Sequence, residues 1–263
     1  MKLPLTRLGR LWLFGLIALA GVLTLLSLPP LRQSQAYHML ADRRPLLGIP
    51  NFLDVVSNAG FLFVGLMGTG FLLKRRANQA NGGFQEPVER LPYAVFFLGV
   101  ALTGLGSACY HWTPNDSSLT WDRLPMTLAF MSILAAVIAE RIDLRVGLWL
   151  LGPFVLAGAG SVWYWRGNGN LWPYAAAQYF SIFLVGALLC LFPARYSRGA
   201  DLLWAAGLYG LAKVAEALDA RIFAVTHFVS GHTLKHLLAA FAVYWVLRML
   251  VIRTPVRNAD LRW

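Results

Sequence analysis

An all-α, polytopic membrane helix bundle is the fold class that this 263-residue sequence predicts, on three observations. Hydrophobic residues make up 58% of the chain and charged residues only 13%, where a soluble domain carries roughly a quarter charged. The mean hydropathy is +0.57. Apolar stretches of the roughly 20 residues needed to cross a bilayer recur along the whole chain. The Lys and Arg residues behind the formal charge of +11 sit in short clusters between those stretches, as membrane topology requires. That distribution argues against a nucleic-acid partner, for which the basic residues would share one face.

From the N-terminus, spans are expected at 8–30, 52–73, 92–111, 121–140, 146–165, 171–192, 200–223 and 231–250. The last two are weakened by Lys213, Glu216, Asp219, His232, Lys235 and His236. One set of alternate connections holds Lys2, Arg7 and Arg10, then Lys74, Arg75, Arg76 and Arg90, then Arg141 and Arg145, then Arg195 and Arg198, and finally Arg248, Arg253, Arg257 and Arg262. The other set holds only Arg32, Arg43, Arg44, Arg123, Arg166 and Arg221. Eight spans with both termini cytoplasmic fit that bias. The first stretch follows a basic segment and precedes Ser34-Gln35-Ala36, so it reads as an uncleaved anchor or a secretory signal, and its length favours the anchor. Trp163, Trp165, Trp172 and Tyr174 flank one outer connection, as an aromatic belt does. Cys109 and Cys190 lie in apolar stretches without metal-motif spacing and read as packing residues. No polar linker or internal repeat divides the chain.

Of the five histidines, three fall at span ends on the same, outer side. His232 and His236, in Ser230-Gly231-His232-Thr233-Leu234-Lys235-His236, are spaced so that a helix presents both imidazoles on one face, the spacing by which one helix gives a metal two ligands. His111 closes the third span in Gly106-Ser107-Ala108-Cys109-Tyr110-His111. Three neutral imidazoles leave a tetrahedral zinc one open position, the arrangement of a catalytic rather than a structural site. The competing reading, separate interfacial histidines, is weaker because strongly polar groups inside spans are costly. His38 and His227 lie in outer loops without partner spacing and read as solvated or interfacial.

Ser107 lies one turn before His111, where its hydroxyl can donate to a developing oxyanion. It reads equally as a small residue easing helix packing beside Gly104 and Gly106. Asp122, in Trp121-Asp122-Arg123-Leu124-Pro125-Met126, is either a proton-transfer carboxylate or a helix N-terminal acid favoured by the dipole. Lys213, Glu216 and Asp219, spaced three apart, read as an internal ion-pair set that locks helices together.

In this order, Gly-Ser107-Ala-Cys-Tyr-His111, Asp122-Arg-Leu-Pro-Met and His232-Thr-Leu-Lys-His236 resemble the alkaline ceramidases, members of the membrane-hydrolase superfamily that includes the adiponectin receptors. The resemblance covers roughly residues 37–250 and implies a seven-helix core with an intramembrane zinc site that hydrolyses the amide of ceramide. It assigns His111, His232 and His236 as zinc ligands, Ser107 as the oxyanion or water-orienting residue and Asp122 as the general acid and base. It divides the chain into an additional N-terminal transmembrane helix and linker over 1–36, the ceramidase-like domain over 37–250 and a basic cytoplasmic tail over 251–263. The segment from Asp42 to Asn58 is similar to a region that binds calcium in the eukaryotic enzymes. Here only Asp42, Asn51 and Asp54 offer comparable oxygens, beside Arg43 and Arg44, whereas a hard cation wants about six or more. Zinc is therefore the expected cofactor and calcium the weaker one.

The expected function is zinc-dependent hydrolysis of a ceramide-like lipid amide, with the membrane lipid as partner. The alternative is a receptor or lipid-binding membrane protein with a structural zinc; a transporter ranks last because no pair of broken helices occupies corresponding halves. Short loops fit a bacterial inner membrane, with the site towards the outer side.

Overall fold

The computed structural model describes residues 5–74 and 83–256, and no strand occurs among them. The α-helices are α1 (Arg7–Ser27), α2 (Phe52–Val56), α3 (Ala59–Lys74), α4 (Arg90–Trp112), α5 (Asp116–Arg141), α6 (Leu144–Asn168), α7 (Trp172–Ala175), α8 (Ser181–Leu191), α9 (Asp201–Ala217), α10 (Asp219–Thr226) and α11 (Gly231–Ile252). A five-residue π-helical segment, Ala176–Phe180, joins α7 to α8. Among the described residues, seven segments are long and apolar enough to cross a membrane: α1, α2 with α3, α4 with its leading turn, α5, α6, α7 through α8, and α11. The chain is a multi-pass helical membrane bundle.

The expected span at 200–223 is instead two helices broken at Leu218. Asp219 opens the second by accepting the backbone N–H of His232 at 2.8 Å and of Ala41 at 3.1 Å, which ends α9 at 17 residues. At ~1.5 Å per residue α9 is ~26 Å long, slightly under the ~30 Å hydrocarbon core. Helix α5 begins at Asp116, five residues before its expected start, because Asn115 accepts from the N–H groups of Ser117 and Ser118 at 2.9 and 3.0 Å while the Ser118 hydroxyl receives the Asn115 N–H. That capping box was legible in Asn115-Asp116-Ser117-Ser118.

Helix α4 packs between α3 and α5, α5 also carries α6 and α8, and α11 lies against α9 and α3. Two glycines set the approach distances near the histidines. A Cβ on Gly106 would fall 2.2 Å from the Trp121 carbonyl, and one on Gly231 would fall 2.1 Å from the Ala215 carbonyl. The first lets α4 touch the backbone of α5, and the second seats the start of α11 on the end of α9. Pro125 lacks the N–H that the Trp121 carbonyl would otherwise accept, so the α5 backbone is locally open where Gly106 meets it.

Helix α1 stands outside this bundle. None of its residues is buried, and it touches the rest through Phe180 against Gly21, Phe14 edge-on to Phe192 at 6.2 Å and Arg7 donating to the Ile142 carbonyl at 3.3 Å. Leu8, Trp12, Leu16, Leu19, Leu23 and Leu26 are exposed, as suits a helix surrounded by lipid. Cys109 and Cys190 also lie exposed on the bundle surface, not packed within it as the sequence suggests.

The cation-rich connections gather at the end of the bundle opposite the histidines. There the guanidinium of Arg253, 2% exposed, pairs with Glu140 at 2.5 Å and lies over the rings of Tyr196, Phe84 and Tyr93 at 4.2, 4.7 and 5.3 Å. This cage binds the end of α11 to α5 and α4. Lys2, Arg75, Arg76, Arg257 and Arg262, and most of the expected tail over 251–263, lie outside the described residues.

Removing one partner of a buried ion pair strands the other charge, at a cost of about 3–5 kcal/mol. Glu140→Leu is therefore expected to lower the thermal unfolding midpoint in detergent markedly; a midpoint equal to wild type would show that Arg253 is neutralised without Glu140.

Candidate functional site

His111 sits in the last turn of α4, and His232 and His236 in the first two turns of α11. All three are buried. Their ring centroids form a nearly equilateral triangle with sides of 4.6, 4.8 and 4.9 Å. Nε2 of His111 lies 3.1 Å from Nε2 of His232. The Ser57 hydroxyl pairs with Nδ1 of His236 at 2.8 Å, so the opposite nitrogen of that ring, Nε2, is buried without a hydrogen-bond partner. One ligand nitrogen from each ring lies within 4.8 Å of the others, the one such cluster among the described residues. A cation among three imidazoles would satisfy the stranded nitrogen, so the donor set fits a metal ion. Imidazole suits zinc, copper, iron and nickel alike.

Of the residues expected to offer calcium its oxygens, Asn51 and Asp54 fix the two helix ends that carry the histidines. Asp54 accepts the hydroxyls of Ser230 and Thr233 at 2.9 and 2.6 Å, tying α2 to the first turn of α11. Asn51, at a φ of 47° that asparagine tolerates better than most residues, donates its amide to the His111 carbonyl at 2.7 Å. The Asp42 carboxylate is gripped by Arg44 through two bonds of 2.8 Å, and this hydrogen bonding holds its pKa below the ordinary carboxylate range. The three side chains bond to different partners, and Oδ2 of Asp54 is buried without one.

Ser107 and Asp122 are both buried, and the Ser107 hydroxyl faces the Asp122 carboxylate across the close contact made at Gly106. Asp122 lies nearly two turns inside α5, which overturns its reading as a helix N-terminal acid, since the dipole acts within the first turn. Lys213 and Glu216 form the expected ion pair, and Lys235 joins it at 3.0 Å, locking α9 to α11. Asp219 stands apart from that pair, holding the start of α11.

A cavity of about 490 Å³ opens beside these groups. Ser107, Asp122, Lys235 and His236 line its polar end, and Phe96, Val100, Ile133, Val185, Val243 and Val246 its apolar shaft. Leu31, Arg32, Gln33 and Ser34, from the linker after α1, form part of its mouth. Gln178 and Tyr179 reach the wall from the π-helical segment, where one extra residue in the turn redirects side chains.

Several of these contributors escape a reading of the sequence. Lys235 places its ammonium 2.7 Å from Nε2 of His232; its one signal was its position three residues on, hence on the same helix face. His38, read from its loop position as solvated or interfacial, is half-buried and bonded to Tyr110 and Asp116 at 3.1 Å each, whereas the His227 side chain is exposed. Trp165 and Tyr174 turn inward instead of belting the membrane, and both stack on Arg123. The chain matches no family in a scan against models of known protein families, and no curated protein matches it.

His236→Ala is expected to abolish stoichiometric metal binding. Ser57→Ala should weaken it about 10- to 100-fold by freeing the ring, as loss of an orienting partner does elsewhere. Competition against a chromophoric chelator measures both, and undiminished affinity in Ser57→Ala would show that the hydroxyl does not orient His236.

Proposed function

We propose that this protein is a zinc-dependent intramembrane hydrolase that cleaves the amide of a ceramide-like lipid into a long-chain base and a fatty acid. The observation that carries the reading is the meeting of three things at one cavity: a buried three-imidazole cluster, the Ser107–Asp122 pair and an apolar shaft of acyl-chain character. A purely structural metal has no need of the last two.

His111, His232 and His236 would hold the zinc ion, which would supply Lewis acidity beside the polar end of the cavity that His236 lines. The chain's own groups complete the chemistry. Asp122 accepts a proton from the attacking water and delivers it to the nitrogen of the leaving amine. Ser107 donates its hydroxyl to the carbonyl oxygen as negative charge develops there. The shaft holds the acyl chain and excludes water from it. The bond broken is the amide C–N, the bond formed is C–O, and one water is consumed.

With α9 counted as an eighth crossing, the Lys and Arg bias supports both termini on the cytoplasmic side and the site towards the outer side, and the short loops fit a bacterial inner membrane. Arg7, Arg141, Arg195 and Arg253 bond to neighbouring segments at one end of the bundle, and the histidines lie at the other.

Incubated with ceramide, the zinc-loaded protein is expected to release fatty acid, and Asp122→Asn should slow this by about 100- to 10,000-fold, the usual contribution of a positioned acid or base. Fatty-acid release is followed by mass spectrometry. Stoichiometric zinc with no release from any of several lipid amides would favour a lipid-binding receptor, and full activity in Asp122→Asn would remove the proton-transfer role.

A further inference from the structure

Below its polar end the cavity is lined by two polar side chains that hydrolysis does not use, Gln178 from the π-helical segment and Tyr209 from the middle of α9. Nε2 of Gln178 donates to the Tyr209 hydroxyl, and the Tyr209 ring is held against Phe130 with centroids 5.4 Å apart. Thr103 also lines the shaft, but its hydroxyl is taken by the Gly99 carbonyl at 2.8 Å.

The glutamine and the tyrosine do not satisfy each other. A single bond between them uses one donor and one acceptor, which leaves the Tyr209 O–H free to donate and the Gln178 carbonyl free to accept. Neither has a further side-chain partner among the described residues. Gln178 is only 3% exposed, yet its carbonyl oxygen is not one of the sealed, unpartnered atoms of the bundle and so keeps accessible surface. Turning the amide over exchanges the roles and leaves the same count, one donor and one acceptor.

A polar group left unpaired against hydrocarbon is costly. One small group answers both halves of this pair, because a hydroxyl donates and accepts, whereas a carboxylate only accepts and an ammonium only donates. The depth of the pair says where on a lipid that hydroxyl lies. Lys235, beside His232, ties Glu216 to the level of the histidines. Tyr209 stands two turns below Glu216 on α9, ~10 Å along the helix. That is the level of the middle of an acyl chain whose amide is at Ser107 and Asp122.

We propose that Gln178 and Tyr209 form a hydroxyl-binding site in the shaft. Resting on the hydrolytic reading above, this narrows the substrate class to ceramide-like amides whose acyl chain carries a hydroxyl near its middle. Such a lipid is still neutral. Tyr209 donates to its hydroxyl oxygen, and the hydroxyl donates to the Gln178 carbonyl.

The test uses the full chain in nanodiscs and three ceramides: one with a plain stearoyl chain, one with a hydroxyl at a middle carbon of that chain, and the isomer with the hydroxyl beside the carbonyl. Each competes with a fluorescent ceramide for binding, and released fatty acid is followed by mass spectrometry. Wild type is expected to bind the mid-chain alcohol about 10- to 100-fold more tightly than its isomer or the plain lipid, the range that two neutral hydrogen bonds provide. The double substitution Q178L with Y209F replaces both partners by apolar groups of similar shape, a change close to neutral for folding, and should bring the two isomers to parity. Equal binding of the isomers by wild type, or a preference that survives the double substitution, overturns the proposal; if that variant cannot be recovered folded, the wild-type comparison of the isomers decides it. Preferential binding without fatty-acid release leaves the hydroxyl site standing and removes the hydrolase. Equal binding with release from all three lipids does the reverse.

Discussion

The polar half of this bundle depends on backbone contact between helices at two points, Gly106 against Trp121 and Gly231 against Ala215. Polar side chains in a membrane need partners, and short ones such as Ser107 and Asp122 find them only where helices come close. Any larger residue at 106 would drive its Cβ into a carbonyl and separate the serine from the carboxylate. Gly231 does the same for α11, holding His232 and His236 at the level of His111. Around these contacts lies a set of tethers whose polar atoms serve the helix ends: Asn51 on α4, and Asp54 and Asp219 on α11. The histidines are thus fixed from outside the triangle, as a preorganised centre requires.

Buried polar residues gather at both ends of the bundle. At the histidine end several of them line a cavity. At the opposite end Arg253 and Glu140 are sealed among aromatic rings, a closed lock that steadies three helices.

The membrane class, most spans and the histidine cluster were legible because each rests on local pattern: apolar run length, charge alternation and the four-residue spacing of His232 and His236. Ser107 and Asp122 were legible as candidates, but only the Gly106 contact brings them face to face. The break at Leu218 escaped because Asp219 is bonded to Ala41 and His232, partners remote in sequence. For Asp42, Asn51 and Asp54 the sequence shows only oxygen-bearing side chains; their partners Arg44, the His111 carbonyl, Ser230 and Thr233 are brought to them by the fold. Arg123 was invisible as more than a loop charge, since its burial comes from Trp165, Tyr174 and Gln33, residues far along the chain that fold around it.

The linker between α1 and the bundle carries a consequence for how the cavity exchanges its contents. Residues 29–34 cross the mouth and are held by Trp172 on the Pro29 carbonyl at 2.9 Å, the Leu171 N–H on the Leu31 carbonyl at 2.8 Å, Asn170 on the Leu31 N–H at 3.2 Å, and the contacts of Arg32 and Gln33. Most of these bonds are solvent-exposed, and such bonds belong to the first parts of a protein to open. Helix α1, by contrast, presents only exposed and half-exposed side chains, as suits a helix surrounded by lipid. The chain between them therefore couples a lipid-facing helix to the cavity wall through a few surface hydrogen bonds, so a change in how α1 sits would be felt first at the cavity lining and not in the core of the bundle.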